Sequence, residues 1–231
     1  MHDDLLRHLL ATDDARGRFF GVVVGIVTNN QDPEGMHRVK VRFPWLTLDH
    51  ESHWARVVAP MAGGKRGIYV LPEADDEVLV AFEHGSLEHP YVVGSLWNGK
   101  DKPPENNGDG KNDNRSFTSR SGHVVRLCDS NGDERIEIID KTGDNRIVIH
   151  SADNKISVEA KGDISVKSAT GKMTLDAQGD ISITSSAGKV KIEAIGIELI
   201  SKADVKVQSQ TTMDASANAQ VNIKGAMVNI N

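Results

Sequence analysis

The sequence predicts an all-β protein in two parts: a small closed barrel, then a repetitive β-prism that needs several copies of the chain. Three observations point there. From residue 154 to residue 231 one phrase recurs, a turn residue and a charge followed by apolar–polar–apolar: NKISVEA (154–160), GDISVKS (162–168), GKMTLDA (171–177), GDISITS (179–185) and GKVKIEA (188–194). Its glycines, Gly162, Gly171, Gly179, Gly188 and Gly196, are spaced 9, 8, 9 and 8 apart. Alternation at period two is the mark of a strand, and a fixed short period is the mark of a repeat architecture. Residues 18–98, by contrast, break into short β-branched runs between turn clusters, with no helix-length pattern among them. Finally, residues 154–231 contain no Phe, Tyr, Trp, Pro, Cys or His, so that stretch lacks both bulky core material and reactive side chains.

Taken in order, residues 1–17 open with HDDLLRHLLATDD, a short helix in which Leu5, Leu6, Leu9 and Leu10 share one face. So short a helix is marginal alone and must dock, on its own barrel or on a partner. The segment is acidic and lacks the features of a signal peptide. Residues 19–28 are apolar and β-branched, the first strand; NNQDPEG (29–35) is a turn cluster. Residues 37–43 alternate, with Val39, Val41 and Phe43 on one face and Arg38, Lys40 and Arg42 on the other. Further strands are expected at 54–59, 68–71, 77–82 and 91–97, the set suggesting a closed barrel. Residues 99–115 (GKDKPPENNGDGKNDNR) read as a polar linker, an ordered loop under the barrel being the alternative. Residues 116–153 restart strands, at 135–139 and 146–149 around a turn at 140–145, as a shoulder leading to the repeat at 154–231.

A repeat near eight residues fits one strand plus one corner per phrase. A left-handed hexapeptide helix needs period six, and paired phrases fall short of a single-chain right-handed coil. Three chains, each supplying one side of a triangular prism, account for the period. The inward residues are then Ile156 and Val158, Ile164 and Val166, Met173 and Leu175, Ile181 and Ile183, Val190 and Ile192. The series continues less regularly through Ile197, Leu199, Val205, Val207, Val221 and Ile223 to Val228 and Ile230, with the register across 196–219 left open. Each buried aliphatic side chain contributes about 1.5–3 kcal/mol, counted three times in a trimer. Winding three chains together also removes exposed strand edges.

Composition narrows the function. A net charge of −6 argues against a general nucleic-acid or anionic-membrane binder, and no run approaches a membrane span. The single Cys128 rules out an intrachain disulfide framework. His50 and His53 form a His-x-x-His pair in a turn-like loop, but two ligands are too few for structural zinc. His84, Glu88 and His89 read as a hairpin loop, and DSNGDE (129–134) as a turn, since its sixth position is Glu134 where a calcium loop needs glycine. Asp75, Asp76 and Glu77 read as a solvated turn and not as a glycosidase pair. No catalytic, cofactor or metal residue is assigned. Arg38, Lys40, Arg42, Trp45 and Trp54 keep a nucleic-acid-binding barrel open as an alternative, and a carbohydrate-binding or hydrolytic trimeric tail fibre is another.

HRVKVRFPW (37–45), SHWARVVAPMAGGKRGIYVLPEADDEVLVAFEHG (52–85) and HPYVVGSLWNG (89–99) closely resemble the OB-fold domain of phage baseplate assembly protein V and of the VgrG spike proteins of contractile injection systems. The resemblance implies an N-terminal OB-fold barrel followed by a trimeric intertwined triangular β-helix, the needle. It implies a central spike that sits under the inner tube of a phage tail, type VI-like or extracellular injection system and is driven through a target envelope; the chain is expected not to be an enzyme, because no catalytic motif is found and only the linker stands where some phage spikes carry a lysozyme domain. VgrG proteins carry a large hub before the barrel, whereas about 17 residues precede it here, so the chain resembles the shorter protein V form with a separate hub protein. Leu5, Leu6, Leu9 and Leu10 are the expected hub contact. Some protein V needles end in a His-x-His iron site, but no His follows His150. A separate PAAR-like tip protein is therefore expected on Met227, Val228 and Ile230. The spike would be assembled in the bacterial cytoplasm as part of a baseplate and would meet the target membrane only on injection.

Overall fold

The computed structural model describes residues 18–46 and 50–229. Contacts divide the chain into a unit ending at Ser165 and a second beginning at Val166. The first unit opens with β1 (Val22–Asn29), β2 (Arg38–Arg42), β3 (Ala55–Val57), the short hairpin β4 (Ala62–Gly63) and β5 (Arg66–Gly67), β6 (Glu77–Phe82) and β7 (Pro90–Ser95). Five of these close into a barrel in the order β1-β2-β3-β7-β6, with β6 returning to β1. Every neighbour is antiparallel except β3 and β7, which run parallel. Closure leaves the sheet without a free edge. Pro90, which cannot donate to a ladder, is tolerated as the first residue of β7.

Alternation decides which side chains fill the barrel. Val39 and Val41 from β2, Val78, Val80 and Phe82 from β6, Val27 and Val92 point inward and are buried. The intervening cations of β2 stay at the surface, as the sequence pattern requires. One end is closed by aromatic rings: Phe43 lies 5.5 Å from Phe82 and 5.7 Å from Trp45, and Phe19 lies 4.8 Å from Trp45. Gly25 lets β1 pass close to this core, because a methyl group there would sit 2.2 Å from the Val41 side chain. The turn between β1 and β2 is tied by Asp32, which accepts from the backbone N–H of Glu34 and Met36 and pairs with Arg38 at 2.7 Å. That hydrogen bond from Arg38 holds the Asp32 carboxyl well below the usual carboxylate range, against the opposing effect of burial.

The strand expected at 68–71 does not form. The chain instead makes the two-residue ladder β4–β5, and residues 68–70 run exposed without a strand partner. Their apolar character comes from something other than a place in the barrel sheet.

Beyond the barrel come β8 (Asn114–Thr118), β9 (Val124–Cys128), β10 (Arg135–Ile139), β11 (Arg146–His150) and β12 (Lys155–Glu159). They form an antiparallel meander in the order β12-β11-β10-β9-β8. The first repeat phrase is thus paired inside the chain, because β12 holds its Ile156 opposite Ile149 of β11. The polar residues ahead of the meander are ordered against it: Glu105 accepts from Arg126 at 3.1 Å, and Asp113 accepts from Ser130 at 3.2 Å. A further pair, Arg120 to Glu73 at 2.6 Å, joins the β8–β9 turn to the barrel.

In the second unit the described residues run as extended segments broken by bends, with no strand pairing among them. Bends fall at 169–171, 178–179, 186–188, 195, 202–203, 210–211, 218–219 and 226. The beat of the first phrases therefore continues across 196–219, where the glycine markers stop.

Candidate assembly surface

The ladder register sorts the meander into two faces. Arg115, Leu127, Ile136, Ile149 and Ile156 make one cross-strand row. Phe117, Val125, Ile138, Ile147 and Val158 make the parallel row two residues away on the same face. Apart from Arg115 that face is wholly apolar, yet its nine apolar side chains remain between 39% and 69% exposed. Barrel valines of the same chain, by comparison, reach 0%. A contiguous apolar sheet face left in water is the mark of an interaction surface.

The other face satisfies itself. Arg126 donates to both Glu105 and Glu137 at 3.1 Å, and Arg135 donates to Glu137 at 2.9 Å and also pairs with Asp133. Burial pushes the Glu137 carboxyl up, but the flanking Arg135 and Arg126 guanidiniums outweigh it and hold it below its ordinary value. Glu105 is lowered as well, first by a hydrogen bond from Ser116 and then by Arg126. Cys128 and Val148 are buried on this side. A lone sheet in water normally hides its apolar face and shows its polar one; here the arrangement is reversed.

The later phrases repeat the theme. Every expected inward residue among those described, from Ile164 and Val166 to Val190 and Ile192, is exposed in the single chain. From the second phrase on, the first apolar residue is the more shielded, as with Ile181 at 56% against Ile183 at 70%. The same order holds in the irregular stretch, for Ile197 before Leu199 and Val205 before Val207. Among the described residues 166–229 no backbone N–H is paired with a backbone carbonyl. Met227 and Val228 are exposed near the end, while Ile230 and the four leucines Leu5, Leu6, Leu9 and Leu10 lie outside the described residues.

The chemical candidates take their places in turns. Asp76 accepts the backbone N–H of Glu73, and Glu77 accepts from Asn98 at 3.1 Å, so the acidic run at 75–77 builds a loop. Residues 130–133 close a turn through Asp133 N–H and the Ser130 carbonyl, with Gly132 at φ +79°. No group of three or more His, Cys, Asp or Glu placed to hold a metal occurs among the described residues. Of the residues that kept a nucleic-acid surface open, Arg38 is paired with Asp32 and Glu34 and Lys40 with Glu51. Both cations also lie over the Trp54 ring, and Trp45 packs in the aromatic end of the barrel. Of this apolar face the sequence pattern singles out only Ile156 and Val158 as inward residues; Phe117, Val125, Leu127, Ile136, Ile138, Ile147 and Ile149 are added by the structure. Their signal lies in VVRLC, RIEII and RIVIH, which alternate but do not say which face is covered.

Comparison with known proteins agrees with this architecture. Residues 23–97 match the family described as the type VI secretion system/phage-baseplate injector OB domain. The chain is 29% identical over 156 residues to the type VI secretion system spike protein VgrG1c of Pseudomonas aeruginosa strain PAO1, covering 65% of this chain and 20% of that protein. VgrG1a of the same strain is 26% identical over 148 residues, covering 59% of this chain and 23% of the relative. VgrG2a is 34% identical over 74 residues, 29% of this chain and 8% of the relative. The match thus spans about a fifth of VgrG1c and VgrG1a, both far longer proteins. With its barrel, Val22 to Ser95, coinciding with the matched residues 23–97 to within two residues at either end, this chain carries an injector OB domain and is a relative of the baseplate protein V and VgrG-type spikes.

Proposed function

We propose that the chain is the homotrimeric central spike of a contractile injection apparatus, with an OB-fold collar and a needle formed by residues 154–231. The observation that carries this reading is the uncovered apolar surface: nine side chains on the meander, then an apolar pair in nearly every phrase of the repeat. Only an occupant with the same beat can cover such a row along its length, and copies of the chain have that beat by construction. Three copies around an axis would bury the meander faces against one another and give the unpaired extended segments of each chain two neighbours to bond. The relatives are named as spike proteins, which supports the role.

In this reading the mechanism is mechanical and not catalytic. Contraction of the apparatus transmits force along an intertwined β-prism whose exterior is Ser, Thr, Lys, Asp and Glu. A separate hub protein binds on the side of residues 1–17, using Leu5, Leu6, Leu9 and Leu10. A PAAR-like tip stacks on Met227, Val228 and Ile230. Assembly takes place in the bacterial cytoplasm as part of a baseplate, and the target membrane is met only on injection.

The test is the mass of the purified full chain by light scattering, with and without mild denaturant. A mass near three chains that survives the denaturant is expected. A monomer would remove the prism and require the repeat to be read as a single-chain solenoid.

A further inference from the structure

The hairpin β4–β5 has no role in the barrel core. Every residue from Met61 to Val70 is exposed, and Ile68 N–H donates to the Met61 carbonyl at 3.0 Å to keep the hairpin shut. Gly67 is needed there, because a Cβ at that position would lie 2.6 Å from the Met61 carbonyl oxygen. Beneath the hairpin is a cavity whose lining includes Met36, His37, Arg56, Met61, Arg66 and Tyr69.

Three properties distinguish this cavity from a passive gap. First, His37 is held at φ +60° with its ring 4.7 Å from that of Tyr69, and both of its ring nitrogens are shielded and lack a hydrogen-bond partner. Shielded polar groups are nearly always paired, so an unpaired imidazole in the cavity lining is a polar group left unsatisfied in the single chain. Second, no acidic side chain pairs with Arg56, Lys65 or Arg66 among the described residues, whereas Arg38 and Lys40 on the adjoining strand are neutralised by Asp32 and Glu51. Third, Met36, Met61 and Ile68 are large apolar side chains left about half exposed, and methionine adapts to the shape of whatever packs on it.

We propose that this cavity docks an acidic, apolar segment of another protein. The partner's carboxylate pairs with Arg56 or Arg66 beside the His37 ring, while its apolar side chains cover Met36, Met61 and Ile68. Charge complementarity favours this occupant, since uncompensated cations surround an unpaired donor in a chain of net charge −6. A nucleic-acid strand fits less well, because phosphate binding needs a continuous stripe of cations and those of β2 already have carboxylate partners. The cavity lies within one chain, so the proposal stands apart from the trimeric reading.

The experiment uses the full chain labelled with 15N at histidine. The His37 ring signal is identified by its loss in His37→Gln. The probe is the capped peptide Leu-Glu-Asp-Leu, compared with its neutral analogue Leu-Gln-Asn-Leu. The expected result is a saturable shift of the His37 signal with the acidic peptide alone, with affinity reduced about tenfold or more in the double variant Arg56→Gln/Arg66→Gln. No shift, an equal shift with the neutral peptide, or an unchanged affinity in the double variant would overturn it. Displacement of the peptide by a twelve-residue oligo-dT would assign the cavity to nucleic acid, and a fall in native mass in the double variant would assign it to a second copy; both also overturn the proposal. Peptide binding can succeed or fail whatever mass the wild-type chain has, so the two readings fail separately.

Discussion

Arg126 on β9 and Glu137 on β10 stand directly opposite each other in the ladder and meet at 3.1 Å. With Arg135 bound to the other carboxylate oxygen of Glu137 at 2.9 Å and Glu105 accepting from Arg126, the polar side of the meander is closed within one chain. The apolar side has nothing comparable. Its polar face can hold the sheet together before any partner arrives, leaving the other face free for association.

Glu137→Gln is expected to destabilise the meander by about 1–3 kcal/mol at neutral pH, since it removes the carboxylate shared by two part-buried guanidiniums and leaves Arg126 with Glu105 alone and Arg135 with Asp133 alone. The native carboxyl is depressed below its ordinary value of 4.5, so its contribution is present above that pH and is lost as pH falls from there through the native value. Urea unfolding of both proteins along an acid series should show their stability gap closing below that point. A gap that stays constant there would assign the loss to shape and not to charge.

Gly25→Ala is expected to cost about 1–3 kcal/mol, because the new methyl group must displace the fully buried Val41 from which it would lie 2.2 Å. Gly94→Ala on β7, where a Cβ meets nothing within 4 Å, serves as the control and should leave the melting temperature close to wild type. Thermal unfolding followed through tryptophan fluorescence compares the two.

Ile138→Asp in the meander and Ile181→Asp in the repeat each place three carboxylates around the axis of a trimer. Buried unpaired charge is costly, so light scattering should show both variants losing trimer mass while the barrel keeps its fluorescence. Thr174→Asp, at the polar position between Met173 and Leu175, should leave the mass unchanged. A normal heat-stable trimer of Ile181→Asp would refute the prism.

Strands whose two faces meet different surroundings were readable from sequence. β6 alternates so cleanly that its bounds, Glu77–Phe82, match expectation, and β2 buries Val39 and Val41 under a row of cations. The run at 68–71 misled because β-branched and aromatic residues can occupy an exposed arm as well as a strand, and only the lack of a partner strand separates the two cases. Most of the meander face was not legible for a related reason: alternation reveals that two faces differ, while what covers one of them decides which is wet. Across 197–219 the glycines disappear, and bends at 202–203, 210–211 and 218–219 fall on Lys, Ala, Gln, Thr and Asn instead. The beat survives there because small or polar residues can turn an extended chain, though they leave no marker in the letters.

That beat makes reach a countable quantity. Each phrase adds one run and one bend, with apolar residues at the same places as in its neighbours. Dropping one whole phrase, such as residues 179–187, would shorten the segment by a fixed step and rejoin the pattern in phase. Dropping one residue inside a phrase would turn every later side chain in that strand to the opposite face. Selection can therefore lengthen or shorten this protein by copying and deleting units, as one adds links to a chain, without solving a new packing problem at each step.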